Sequence, residues 1–247
     1  MEEGKCATWS RREWLQTGTL LVLAGALPVV AVSQAAPPPA AKPEKPGKPA
    51  AAAAVPEVTP VEDLMREHGV LRRILLIYEE ISARLQKGKE FPPPALAGAA
   101  GTIRKFVEDY HEKLEEDHLF PRFEKAGQLV DLVAVLRRQH QAGRRLTGDI
   151  LKLADPGALK TPEARRRLPD LLRQFLRMYR PHAAREDTVL FPAFRTLVPA
   201  KEYAALGDEF EDREQALFGQ EGFERMVTEV AGLEKQLGIY DLAQFTP

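Results

Sequence analysis

The chain contains a single cysteine, Cys6, placed near the N-terminus. Disulfides and thiolate metal sites are therefore excluded from the bulk of the chain. Any metal must be held by nitrogen and oxygen donors, which suits iron, manganese or zinc. Net charge is nearly absent at −1, so no basic footprint for nucleic acid is visible and none is expected as a partner. Long apolar runs are scarce too. Residues 17–32 form an uncharged, largely apolar run broken by Pro28, and fall short of the roughly 20 residues that a membrane span requires. No stretch reads as a substrate pocket or a reductase domain, which weighs against a self-contained redox enzyme.

What is present begins with that run. Ser10-Arg11-Arg12-Glu13-Trp14-Leu15-Gln16 precedes it and resembles the bacterial twin-arginine export motif. Ser33-Gln34-Ala35 comes after it with small residues where a signal peptidase reads. Residues 1–35 are thus expected to be a twin-arginine-type signal peptide, cleaved before Ala36, with a periplasmic or secreted mature protein. The membrane enters only through an uncleaved leader. Residues 36–60 carry 8 of the 20 prolines and almost no large apolar side chain. Such a segment cannot bury a core and reads as an extended, disordered linker.

The remaining sequence is organised by a repeat. His111-Glu-Lys-Leu-Glu115 leads into Leu119-Phe120-Pro121, and His182-Ala-Ala-Arg-Glu186 leads into Leu190-Phe191-Pro192, without a gap between the two copies. Phe123 and Phe194 stand at the same offset beyond them. Upstream, His68 precedes Arg72-Arg73-Ile74, and His140 precedes Arg144-Arg145-Leu146. The spacing is 72 residues from His68 to His140 and 71 from His111 to His182. A helix with one His and a helix with His-x-x-x-Glu are used twice. Two helical hairpins around one core give an all-α, antiparallel up-and-down four-helix bundle, expected over residues 61–198.

Apolar periodicity places the four helices at about 61–87, 96–125, 128–154 and 162–197. Thr161 is the expected N-cap of the fourth, with Pro162 at its first position and Pro181 as an interior bend. Gly127 is the expected stop of the second. Two more amphipathic segments, 200–218 and 222–237, carry no His and are expected to pack on the outside as a C-terminal extension over 199–247.

In each copy the His and the Glu lie one turn apart on one helix face. A lone core His is usually only hydrogen-bonded, but a buried carboxylate without a partner costs several kcal/mol. Glu115 and Glu186 therefore need a counter-charge. A salt-bridge network with Arg73 and Arg144 would supply one, yet leaves the convergence of His68, His111, His140 and His182 without a reason. A cation satisfies all six residues. Four imidazoles and two carboxylates suit two metal ions, with an oxo or hydroxo bridge and an exchangeable position completing them. Glu112 is a candidate extra oxygen donor. His118 makes a Glu115-x-x-His118 pair but aligns with Val189 in the other half, so a rim position is favoured for it.

His, His-x-x-x-Glu, His, His-x-x-x-Glu in four successive helices resembles hemerythrin and the hemerythrin-like HHE cation-binding domains. The resemblance covers about residues 61–197 and implies a non-haem di-iron centre. Oxygen-carrying hemerythrins have a further His where this chain has Arg144, and close the fourth-helix pair with an Asp five residues after the His; here the carboxylate is Glu186, four residues after His182, with Asp187 next. The resemblance therefore implies an open coordination position more firmly than reversible O2 carriage. It leaves two main function classes. One is a protein that binds, senses or stores O2, a related small ligand or iron. The other is a di-iron oxidase, peroxidase or nitric-oxide-handling enzyme. A structural bundle with one metal or none is the third. Anionic ligands would be favoured if Arg144 stood behind the metals.

Overall fold

The computed structural model describes residues 58–247; the expected leader and nearly all of the expected linker lie outside the described residues. The described chain is all-helical, without strands. Helix α1 is Pro60–Gln86. It starts on a capping box: Glu62 N–H reaches the Thr59 hydroxyl, and the Glu62 carboxylate accepts from Thr59 N–H at 3.0 Å. Helix α2 is a continuous run over 93–126, and α3 is Val130–Leu153. Helix α4 runs continuously over 162–197, α5 is Ala200–Phe218 and α6 is Gly222–Leu237.

The expected boundaries have local causes. Gly127 takes the left-handed conformation at φ 65° and lets Gln128 N–H reach back to the Phe123 carbonyl at 3.1 Å, which closes α2. Thr161 caps α4 by accepting from Ala164 N–H at 3.2 Å, with Pro162 in the first turn. Pro181 lies inside α4, which continues past it.

Helix α1 packs against α2 and α4, and α3 packs against the same two. The faces between them bury Leu64, Leu71, Ile74 and Tyr78 of α1, Ile103 and Val107 of α2, Leu136 and Ile150 of α3, and Leu168, Leu172 and Phe175 of α4. Each such large apolar side chain contributes about 1.5–3 kcal/mol by leaving water. Helix α6 lies against α1 and α2. It comes so close to α2 that a Cβ on Gly98 would stand 2.8 Å from Leu233 Cδ2. The Arg73 guanidinium pairs with Glu234, fixing α1 to α6.

Helices α2 and α4 are not α-helical throughout. Ile103–His111 and Glu115–Leu119 in α2, and Glu186–Leu190 in α4, are wound as π-helix. Phe120 N–H bonds five residues back to Glu115, and Phe191 N–H five back to Glu186. The prolines account for part of this. A proline ring inside an α-helix clashes with the carbonyl four residues earlier and offers it no N–H. Those residues are Asp117 for Pro121 and Thr188 for Pro192, and both lie in the widened turns. Leu-Phe-Pro is thus the exit of a π turn in each half. Single π turns inside α-helices gather at functional sites, and these begin on Glu115 and Glu186.

Candidate metal centre

The four repeat-related histidines and two glutamates meet at the centre of α1–α4. All six are buried: His68, His111, His140, His182, Glu115 and Glu186. His68 Nε2 faces His111 Nε2 at 3.1 Å, and His140 Nε2 faces His182 Nε2 at 3.3 Å. Two nitrogens bound at ~2.1 Å and at right angles on one ion stand about 3.0 Å apart, so each pair has the spacing of two ligands on a shared cation. Glu186 Oε2 lies 3.1 Å from His182 Nε2 and 3.4 Å from His68 Nε2. Glu115 Oε2 lies 3.4 Å from His140 Nε2, and Oε1 lies 3.8 Å from His111 Nε2. Both carboxylates therefore reach both His pairs.

Two groupings could each hold a metal ion: His68, His111 and Glu115, and Glu115, His140, His182 and Glu186. All four carboxylate oxygens of Glu115 and Glu186 are buried without a hydrogen bond. Leaving such atoms unsatisfied is costly, and a cation among them removes the cost. The donor set, imidazole nitrogen with bridging-capable carboxylate, fits iron, manganese or zinc.

The outward nitrogen of every histidine is also held. Asp187 meets His68 Nδ1 at 2.7 Å, Glu67 meets His111 Nδ1 at 2.7 Å, Glu116 meets His140 Nδ1 at 3.1 Å, and Gln139 meets His182 Nδ1 at 2.9 Å. A donor bond from Nδ1–H fixes the tautomer with its Nε2 lone pair toward the centre. Phe191 stacks on His68 and Phe120 on His140, with ring centroids 5.4 Å apart in both cases. Sequence reasoning misses these acceptors. The repeat nevertheless contains the signal for them: Glu67-His68 matches Gln139-His140, and Glu115-Glu116 matches Glu186-Asp187.

Arg144 and Arg73 do not neutralise Glu115 or Glu186. Arg144 places its guanidinium 2.8 Å from both Glu112 and Glu116, with its side chain 23% exposed. Carboxylates thus stand between it and the centre. Its counterpart Arg72 pairs with Asp187 in the same way. Glu112 sits beside this network, accepting from the Tyr179 hydroxyl at 2.7 Å. It groups with Glu116 and His140 rather than with the inward nitrogens. Tyr179 fits only because residue 143 is glycine, where a Cβ would collide with its hydroxyl.

His118 is not brought to the cluster. It packs edge-on to Phe210 of α5, with Nε2 3.7 Å from Glu209. In a uniform α-helix it would share the face of His111. One extra residue in a turn rotates every later side chain by about 100° around the axis. A further carboxylate grouping, Asp63, Glu67 and Glu214, lies behind His111.

The protein groups alone distribute protons unevenly. Burial opposes charge on His68, but the hydrogen bond with Asp187 and the nearby Glu186 carboxylate outweigh it and raise the group to about 9. His140 is likewise raised, against burial, by Glu112, Glu115 and Glu116. Burial lowers His111 well below the ordinary range and takes His182 to about 4. Burial and the neighbouring Glu186 push Glu115 up to about 8. Glu186 is lowered, because His182 and His68 prevail over burial. Protons held here compete directly with a cation.

The fold and site define a metal-binding helical protein, with His and Glu gathered in the core of packed helices. The chain belongs to the hemerythrin HHE cation-binding domain family, whose model matches residues 59–194 and again 131–233. The overlap of the two matches reflects the internal repeat. Proteins described as uncharacterized from Mycobacterium bovis and Mycobacterium tuberculosis are 52% identical to it over 190 residues, covering 77% of this chain and 74% of theirs. No solved structure matches the chain.

Proposed function

We propose that the protein is an exported hemerythrin-like domain holding two non-haem iron ions, bridged by an oxo or hydroxo group, in an antiparallel four-helix bundle. Its role is then to bind O2 or a related small ligand. One observation carries this reading: two facing His pairs share Glu115 and Glu186, whose oxygens have no other hydrogen-bond partner. The mutual packing of α1–α4 around those residues supports the bundle. His68 and His111 would hold one ion and His140 and His182 the other, with both carboxylates between them. Iron there would supply a Lewis-acidic, redox-active centre with a position open to a small ligand. The chain's own part is to keep the imidazoles aimed inward through Asp187, Glu67, Glu116 and Gln139, and to exclude water with Phe120 and Phe191. An oxidoreductase is the second reading, favoured by the titratable network of Tyr179, Glu112 and Arg144 beside His140.

The test is metal analysis followed by anaerobic reduction and exposure to air. Two iron ions per chain and a spectrum that cycles reversibly are expected. One ion or none after reconstitution removes the two-metal reading, and irreversible oxidation with turnover of an added reductant selects the enzyme. Export is tested by changing Arg11 and Arg12 to Lys. Secretion that continues unchanged in a strain without twin-arginine transport rules that route out.

A further inference from the structure

The Nδ1 partners of the four histidines match between the two halves of the centre except at one. Asp187 and Glu116 are carboxylates in equivalent places, each tied to the equivalent arginine, Arg72 or Arg144. Phe191 and Phe120 stack equivalently. His111 and His182 differ. His111 Nδ1 meets a carboxylate, Glu67, while His182 Nδ1 meets the amide oxygen of Gln139, at nearly the same distance.

We propose that the two halves bind metal with unequal affinity, set by Glu67 against Gln139: the His68–His111 half fills first and the His140–His182 half is the exchangeable one. The inference rests on the two-metal reading above. A carboxylate accepting from Nδ1–H makes the imidazole a stronger donor through Nε2, whereas an amide oxygen orients the ring with much less effect. Asp63 and Glu214 lie within ligand distance of Glu67, so three carboxylates stand behind His111. Glu67 is the member of that group that faces the His111 imidazole. The counterpart of Asp63 in the second half is the exposed Val135. The half with the weaker hold is also the one beside Tyr179, whose ring centroid lies 5.4 Å from that of His182. A small ligand would then exchange on the His140–His182 side.

Glu67→Gln and Gln139→Glu are near-isosteric, so the contrast can be removed in two ways or reversed. Cobalt(II) titration of the full chain, monitored by absorption and calorimetry, reads the stepwise affinities. The expected wild-type result is two steps separated by roughly 10- to 100-fold, the range over which such outer partners act. Glu67→Gln should merge the steps, and Gln139→Glu should tighten the second. The double exchange should restore two steps in reverse order. His182→Ala should keep the tight step in the wild-type background and lose it in the exchanged one, with His111→Ala doing the opposite. Thermal melts confirm that each variant is folded. Two bound ions whose separation is the same in wild type, Glu67→Gln and Gln139→Glu overturn the inference while leaving the two-metal reading intact. A single bound ion in wild type overturns both.

Discussion

At the scale of single residues, the legible part of the site was the part that carries unusual chemistry. His68, His111, His140, His182, Glu115 and Glu186 stand out because imidazole and carboxylate are rare on core faces, and the repeat selects them from the other charged residues. Glu67, Glu116, Gln139 and Asp187 do not stand out, since one charged residue beside another reads as solvated surface until packing turns it inward. His118 is the opposite case, chemically suitable but turned away, in keeping with its lack of a repeat partner. His182→Ala should therefore abolish metal binding in its half of the pocket, while His118→Ala leaves the metal content unchanged; equal loss in both would contradict the placement of His118 against Phe210. Gly143→Ala should destabilise the protein by about 1–3 kcal/mol in urea melts, since the added methyl meets the Tyr179 hydroxyl inside a filled core. The pH response also belongs here. His68 is raised to about 9 by Asp187 and Glu186, so it is protonated at neutral pH. In the metal-free protein that stabilisation is complete below its ordinary value of 6.5 and disappears as pH rises through about 9. Metal binding runs the other way, because a ligand must lose its proton first. Metal uptake at pH 7 should acidify a weakly buffered solution, and affinity should fall steadily from pH 9 downward; uptake without proton release would contradict the assignment of His68 as a ligand.

At the scale of helices, periodicity located the six long helices of the described residues, and the caps and stops were legible in Thr161, Pro162 and Gly127 because each has a single backbone role. The winding of the helices was not legible. An apolar stripe is read on the assumption of 3.6 residues per turn, and a π turn departs from it by one residue without any composition signal of its own. Leu119-Phe120-Pro121 and Leu190-Phe191-Pro192 were visible as repeats, but their meaning as π-turn exits required the hydrogen bonds. The π turns should be separable from the fold. Deleting the exposed Asp117 or Thr188 removes one residue from a wide turn and lets it close to α spacing. Circular dichroism should show helix content and cooperative melting largely retained, while the variants lose metal, because Glu115 or Glu186 rotates off the centre. Retained metal stoichiometry would mean that the widened turns are incidental.

At the scale of the whole described chain, the crosswise contacts decide how the halves depend on each other. The outer partner of His68 is Asp187 and that of His140 is Glu116, so each leading histidine is aimed by the opposite half. Phe191 and Phe120 cross over in the same manner. Neither half supplies the outer partner of its own leading histidine, yet two copies of one half could supply each other's. A two-fold symmetric homodimer of such half-chains would make the same crossed contacts. The loop at Gly127 joins the two halves, and a chain cut there is a candidate for reassembly from its two separately made pieces.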